Sequence, residues 1–344
     1  FGYNRDGKKG KLQIVIGLLA DPSGEPLAVR VFSGNTGDPS TVAEQIDALT
    51  KQFAIKEVIF VGDRGMVKKA GKQALGEVGF RYISALTDPQ IRNRLAKGTL
   101  QLDLFAEQVC EVEADGVRYV LRNNPDETRR IEHRLEDKLA KLRSKIAKRN
   151  ERVENSSRCK PEAGLAILKR WMSQHKLANI VELKLPERQI VESVNAEAKR
   201  KSLELAGCYV LVSDVGKETL STEQIHDSYM ALQKVERDFR TMKTGLLEIR
   251  PVFVRKESRT RGHVFCSMLA LKLQREVEHR LAAVFSTTDA DRYAVTVPDA
   301  LAALSRLTLL HYKVDDKIAV TKLPMPDQQQ QRILDALKVS LPSQ

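Results

Sequence analysis

Cysteine is scarce in this 344-residue chain: Cys110, Cys159, Cys208 and Cys266 stand far apart with no CxxC pair. That excludes a zinc knuckle and a secreted disulfide framework, and points to a reducing cytoplasm. Aromatic residues make up only 5%, and Trp171 is the one tryptophan. A single-strand binder that stacks bases needs more platforms than that. No run approaches the roughly 18 consecutive apolar residues of a membrane span. The start, Phe1-Gly2-Tyr3-Asn4-Arg5-Asp6, has no charged-then-apolar signal layout and no initiator methionine. The chain is therefore expected to begin inside a longer protein. Acid is in deficit as well, with 45 Asp+Glu against 57 Lys+Arg and a net charge of +12. Such a surplus points to a polyanion, most simply nucleic acid, against the plainer alternative of a merely soluble basic protein. What is present suffices for a core: 42% of residues are hydrophobic, over about two domains' worth of chain at roughly 150 residues each.

The first ninety residues alternate strand and helix signals. Residues 12–19 and 26–32 read as a hairpin about the turn Asp21-Pro22-Ser23-Gly24. Asp38 can cap a helix opening at Pro39, with Val42, Ile46 and Leu49 as its apolar stripe. Val58-Ile59-Phe60-Val61 is a short apolar run suited to a strand buried on both faces. It stops at Gly62-Asp63-Arg64-Gly65, before a helix over 67–76 and a strand over 81–86. This order is α/β. From about residue 89 to 213 the character changes. Strands at 109–113 and 117–121 flank an Ala-Asp-Gly turn. A charged helix is expected over 127–154, with Ile131, Leu135, Leu139, Leu142 and Ile146 as its stripe. Its basic faces are ordinarily just solvated, nucleic-acid contact being the alternative. A loop over 155–161 and a strand over 208–212 follow. A strongly helical stretch then runs from 220 to about 244, and a mostly apolar helix starts at Phe265. The last sixty residues read as an accessory tail, with a helix from Pro298 through about Leu310. Gln328 to Gln331 stand ahead of a short final helix.

Two acidic residues stand out by position. Asp63 follows the carboxyl end of a buried strand, where open α/β sheets place functional groups; the plainer reading is a turn aspartate. Glu236 lies mid-helix. At about 100° per residue Tyr229, Leu232, Glu236, Arg240 and Lys243 share one side, with Leu232, Val235 and Phe239 at the core edge. A carboxylate amid Tyr, Arg and Lys can hold a metal beside phosphate donors. The plainer reading is a surface salt-bridge face, since Glu236 and Arg240 are an i,i+4 pair.

Taken together, Tyr229, Glu236 and Lys243 resemble the Y-x2-R-x3-E-x6-K signature of bacterial insertion-sequence transposases of the DDE type. Leu232 stands where that signature has Arg, which removes one phosphate contact and reads as a subfamily mark. Leu247-Glu248-Ile249-Arg250-Pro251-Val252-Phe253, Arg259-Thr260-Arg261-Gly262-His263-Val264-Phe265, Val61-Gly62-Asp63-Arg64-Gly65-Met66 and Ser33-Gly34-Asn35-Thr36 are also similar to this branch. The resemblance spans residues 1 to about 285.

It implies an RNase H-like catalytic core, interrupted by an α+β insertion, with a small C-terminal helical tail. The implied segments are 1–88 and 216–285 for the core, 89–215 for the insertion and 286–344 for the tail. Asp63 and Glu236 are implied as the second and third acidic metal ligands of a two-metal Mg²⁺ site, with Mn²⁺ as a substitute. Tyr229 and Lys243 are implied phosphate contacts, with Arg64, Arg240 and His263 as further candidates for DNA. The implied reaction is hydrolysis at transposon ends followed by strand transfer. Its partners are double-stranded DNA, as terminal inverted repeats and as target, and a second copy of the chain on that DNA. The first aspartate of the family precedes the hairpin, and no residue here fills that role; Asp6 is a loop residue and is not assigned. The chain is thus expected to start after the first core strand, leaving crippled catalysis and an exposed sheet seam. The alternatives are a non-catalytic DNA-binding remnant or regulator, and a metal-dependent nuclease without strand transfer.

Overall fold

A computed structural model describes residues 13–36, 58–64, 67, 69–156, 158–243, 247–285, 295–314 and 317–342. The helix candidate opening at Pro39 lies outside the described residues. The chain divides into two compact units, Phe1–Gln45 with Ala231–Gln344, and Ile46–Met230.

In the first unit, β1 (Ile14–Ala20) and β2 (Pro26–Ser33) form the expected antiparallel hairpin, a two-stranded sheet of their own. Its turn is organised by Asp21, whose carboxylate accepts from the Ser23 hydroxyl at 2.6 Å and the Glu25 amide at 2.8 Å. These bonds, led by that of Ser23, hold the Asp21 carboxyl below the usual range. Gly24 closes the turn at φ +85°, a left-handed conformation that glycine adopts without strain.

The second unit is built on a five-stranded sheet. A parallel pair, β3 (Ile59–Val61) and β4 (Arg81–Ala85), is connected through α1 (Lys69–Glu77). After α2 (Asp88–Ala96) comes the hairpin of β5 (Cys110–Ala114) and β6 (Val117–Asn123). Asp115 and Gly116 both take positive φ at its turn, as two-residue hairpin loops favour. Then follow α3 (Pro125–Glu154), α4 (Pro161–Gln174), the small hairpin β7 (Val181–Lys184) and β8 (Val191–Val194), α5 (Ala196–Leu203), β9 (Cys208–Ser213) and α6 (Thr222–Met230). The large sheet runs β3-β4-β9-β6-β5. Residues 89–215 therefore supply three of the five strands of one sheet shared with β3 and β4, in addition to a helical layer. Among the described residues β3 stands at an edge.

Among the described residues two cores serve this unit. Ile83, Val120, Leu211 and Ile225 centre the first, between the sheet and α6. The second lies under α3, where Leu139, Leu142 and Ile146 pack with Leu168 and Met172 of α4 and with Val181, Leu183 and Ile190. The stripe expected on the long helix is thus the one buried, with Leu135 at its margin.

The chain returns to the first unit with α7 (Leu232–Lys243) and α8 (Glu257–Val284), then α9 (Val297–Leu304), the hairpin β10 (Leu310–Val314) and β11 (Lys317–Lys322), and α10 (Gln328–Leu337). Ile14, Ile16, Leu18, Val29 and Val31 of the first hairpin pack with Met242, Ile249, Val264 and Leu271. A further core joins the end of α8 to α9 and α10 through Leu281, Phe285, Val297, Ala300 and Ile333.

Four expectations are corrected. The helix expected from 220 to 244 is interrupted at Ala231, giving α6 and α7. Alanine is the best helix former, so local preference does not explain the break. The two halves instead bury stripes in different cores, Ile225 with Tyr229 in one and Met242 in the other. The helix expected from Phe265 starts earlier, at Glu257, because its polar first turns still bury Thr260 and Val264. In the tail the helix ends at Leu304 and residue 310 begins a strand. Gln328 to Gln331 form the first turn of α10 under an Asp327 cap and do not stand ahead of it.

Candidate functional site

Asp63 lies in the loop directly beyond β3, with its side chain exposed. The loop is fixed by its backbone. The Gly62 amide donates to the Ile83 carbonyl at 3.0 Å, and the Ser84 hydroxyl donates to the Asp63 carbonyl at 3.2 Å. A Cβ on Gly62 would come within 2.7 Å of the Val67 side chain, so a larger residue there would force that side chain to move. Arg64 is also exposed and lies 3.7 Å from Asp88 at the start of α2. Asp63 and Arg64 are thus brought together at the carboxyl end of a strand, the position predicted from the apolar run before them.

Tyr229, on α6, is half-buried against the sheet core. Its helix is anchored by contacts that no local sequence pattern announces. His226 is buried, with Nε2 2.7 Å from the Tyr209 hydroxyl and 3.0 Å from an Arg122 nitrogen, and Nδ1 3.0 Å from Asp227. Arginine only donates, so Nε2 accepts and Nδ1 carries the proton toward Asp227. Burial pushes the Tyr209 phenol up while Arg122 opposes it. Ahead of α6, buried Arg118 donates to the carbonyls of Val215 at 3.0 Å and Leu220 at 2.8 Å, and pairs with Glu111 at 2.7 Å. Burial works to raise the Glu111 carboxyl, but hydrogen bonds from Arg118, Thr222 and Lys217 hold it below the usual range.

Glu236, Arg240 and Lys243 occupy α7 in the other unit. All three are exposed and lie along one face, and Lys243 Nζ sits 5.5 Å from the Phe239 ring centre. The opposite face buries Met242 and, unexpectedly, Asp238. The Asp238 carboxylate is 3.5 Å from Arg275 of α8, which also pairs with Glu25 at 3.6 Å and donates to the Gly24 carbonyl. Burial raises the Asp238 carboxyl, with Arg275 opposing. This network joins the helix bearing Glu236 to α8 and the β1–β2 turn. A Cβ on Gly24 would meet Lys234 Cβ at 2.8 Å. One signal in the sequence could have found Asp238: it falls in phase with Val235 and Met242, where an apolar residue is due. His263, on α8, is half-buried and donates from Nε2 to the Ile249 carbonyl at 3.1 Å, which secures the segment after α7.

The signature residues therefore fall in both units, Asp63, Arg64 and Tyr229 in one and Glu236, Arg240, Lys243 and His263 in the other. Among the described residues no group of three or more His, Cys, Asp or Glu is placed to hold a metal ion. As donors, the exposed carboxylates of Asp63 and Glu236 are the hard oxygen ligands that divalent ions such as Mg²⁺ prefer. Among the described residues no helix is long and apolar enough to cross a membrane.

A mixed α/β chain with a mixed central sheet, an acidic residue beyond a strand end and another on a helix fits the DDE class of nucleic-acid enzymes. The family model for the transposase DDE domain matches residues 2–273, and the chain belongs to that family. Its members act on DNA by nuclease and transesterification chemistry and generally use divalent metal ions. No curated protein and no solved structure matches the chain significantly.

Proposed function

We propose that this chain is the catalytic part of an insertion-sequence transposase, which hydrolyses phosphodiesters at transposon ends and transfers the freed 3′ end into target DNA. The observation that carries this reading is the family match over residues 2–273, joined to the placement of Asp63 at the end of β3 and Glu236 on the solvent face of α7. The parallel β3–β4 pair and the antiparallel hairpin support an RNase H-like core with residues 89–215 as an elaboration of its sheet.

In this reading Asp63 and Glu236 are two carboxylate ligands to Mg²⁺, which when bound supplies charge neutralisation for the attacking and leaving oxygens of the phosphodiester. Tyr229, Arg240, Lys243 and Arg64 bind and orient backbone phosphates beside those carboxylates. His263 acts indirectly, by holding the segment that follows α7. The inverted repeats and the target are both duplex DNA, and two ends are brought together by two copies of the chain.

The test is cleavage of transposon-end duplex by the transposase with Mg²⁺, set against binding of the same duplex. Asp63→Ala and Glu236→Ala are each expected to lower cleavage on the order of 10⁴-fold, the scale on which loss of a directly acting group is felt. Binding should change less than about threefold. Two variants that cut normally would overturn the assignment. Binding of the same duplex by a full-length transposase that carries the first aspartate, with no cleavage in Mg²⁺ or Mn²⁺, would make it a DNA-binding regulator instead.

A further inference from the structure

The charge surplus is not spread evenly. Residues 125–204 hold twenty Lys+Arg against thirteen Asp+Glu, so this stretch of helices and one small hairpin carries +7 of the chain's +12. Along α3 the basic residues other than Lys138 and Arg149 fall into two groups. Those nearer the amino end are matched: Arg129 pairs with Asp126, Arg130 with Glu127 at 2.7 Å, and Arg134 with Glu127 at 3.8 Å. Further along, Arg143 pairs with Glu192 at 2.6 Å and Glu136 with Lys199 at 2.5 Å.

Lys141, Lys145, Lys148 and Arg152 are different. All four are exposed, and among the described residues none has an acidic partner within ion-pair distance. Spacings of four, three and four residues set them on one side of the helix, next to the stripe of Leu139, Leu142 and Ile146 that faces the core. The row is about 16 Å long at 1.5 Å per residue. One strand of duplex DNA presents a charge about every 3.4 Å of helix axis, so the row spans about five phosphates. The helix is thirty residues long, capped by Asn124 and packed along its length. It is therefore a rigid support, so little side-chain-bearing backbone has to be ordered on binding.

We propose that Lys141, Lys145, Lys148 and Arg152 form a docking surface for the backbone of duplex DNA, separate from the residues assigned to the chemistry. This rests on the transposase reading for the identity of the polyanion and adds where the duplex is held. Assigned to phosphates, the row fixes the position of the duplex and carries no sequence information. It retains DNA while the carboxylates act.

The experiment measures binding of a mixed-sequence duplex by the full chain across a salt series. Converting all four residues to alanine is expected to lower affinity at least tenfold and to flatten the log–log salt dependence by about three to four units, at roughly 0.9 per phosphate contact. The control converts Arg129, Arg130, Arg143 and Lys199, which removes the same charge from paired positions. It should flatten the slope by less than about one unit. Trp171 adds a local readout, because Lys145 Nζ lies 5.5 Å from its ring centre. DNA should shift its emission in the unaltered chain and fail to do so in Lys141→Ala/Lys148→Ala/Arg152→Ala, which keeps that contact. Equal losses from the two quadruple variants would overturn the proposal in favour of a general field. A preference of the row for single-stranded RNA or an acidic protein would overturn the choice of partner. No binding of duplex by the unaltered chain would instead sink the transposase reading itself.

Discussion

Arg118 shows how much one side chain organises near the signature. It is 4% exposed, yet it joins β5, β6 and the loop leading to α6 through Glu111 and the carbonyls of Val215 and Leu220. Removing one partner of a buried ion pair leaves the other charge uncompensated, at a cost of about 3–5 kcal/mol. Arg118→Met is accordingly expected to lower unfolding stability by about that amount in urea melts, with Glu111→Gln milder. The pH sign follows from the carboxyl being held low in the folded state. Its stabilising contribution is complete above the unfolded value of about 4.3. It is lost as the pH falls through the lower folded-state value. The unaltered chain and Glu111→Gln should therefore converge in strongly acid solution, and a gap that stayed constant there would contradict the account. None of this was legible in the sequence, where Arg118 reads as one polar residue in an alternating strand. Asp63 was legible, because a wholly apolar run ending at Gly-Asp announces a strand end.

Elements were legible where periodicity was long. The stripe of α3 recurs over four turns and is the face that packs. Leu142 is wholly buried there. Leu142→Ala should cost about 2–5 kcal/mol through lost burial and a residual cavity, as a lower urea midpoint with an unchanged slope. An effect below 1 kcal/mol would mean that α3 is not held by this core. The short elements α2, β7, β8 and α5 went unread, since four to nine residues carry too few repeats of a period to stand out. The break between α6 and α7 escaped for another reason. Its sequence is helical throughout, and only the separate burial of Ile225 and Met242 in different cores ends one helix and begins the next.

For the molecule as a whole, charge is partitioned by region. Residues 286–344 carry seven basic and seven acidic side chains and so add nothing to the net attraction for a polyanion. Neutralising Arg306, Lys322 and Lys338, all exposed, is expected to leave duplex affinity within about twofold and the salt slope unchanged, since without phosphate contacts no counterions are released. A slope that fell by about three units would place the tail on the DNA. The family match ends at residue 273, within α8, and the core beyond it is made by the end of that helix with α9 and α10.

The sequence by itself carried the resemblance to the DDE class, through the order and spacing of Asp63, Tyr229, Glu236 and Lys243, while the +12 surplus pointed only to a polyanion. It also determined the α/β character and the buried face of α3, both written as local periods. Only the tertiary structure decided that strands from residues 89–215 complete one sheet with β3 and β4, since pairing partners far apart in the chain leave no local signal. It likewise decided that Asp238 is buried against Arg275 and that, among the described residues, Lys141, Lys145, Lys148 and Arg152 lack acidic partners. Whether a charge is matched depends on which distant residues fold beside it.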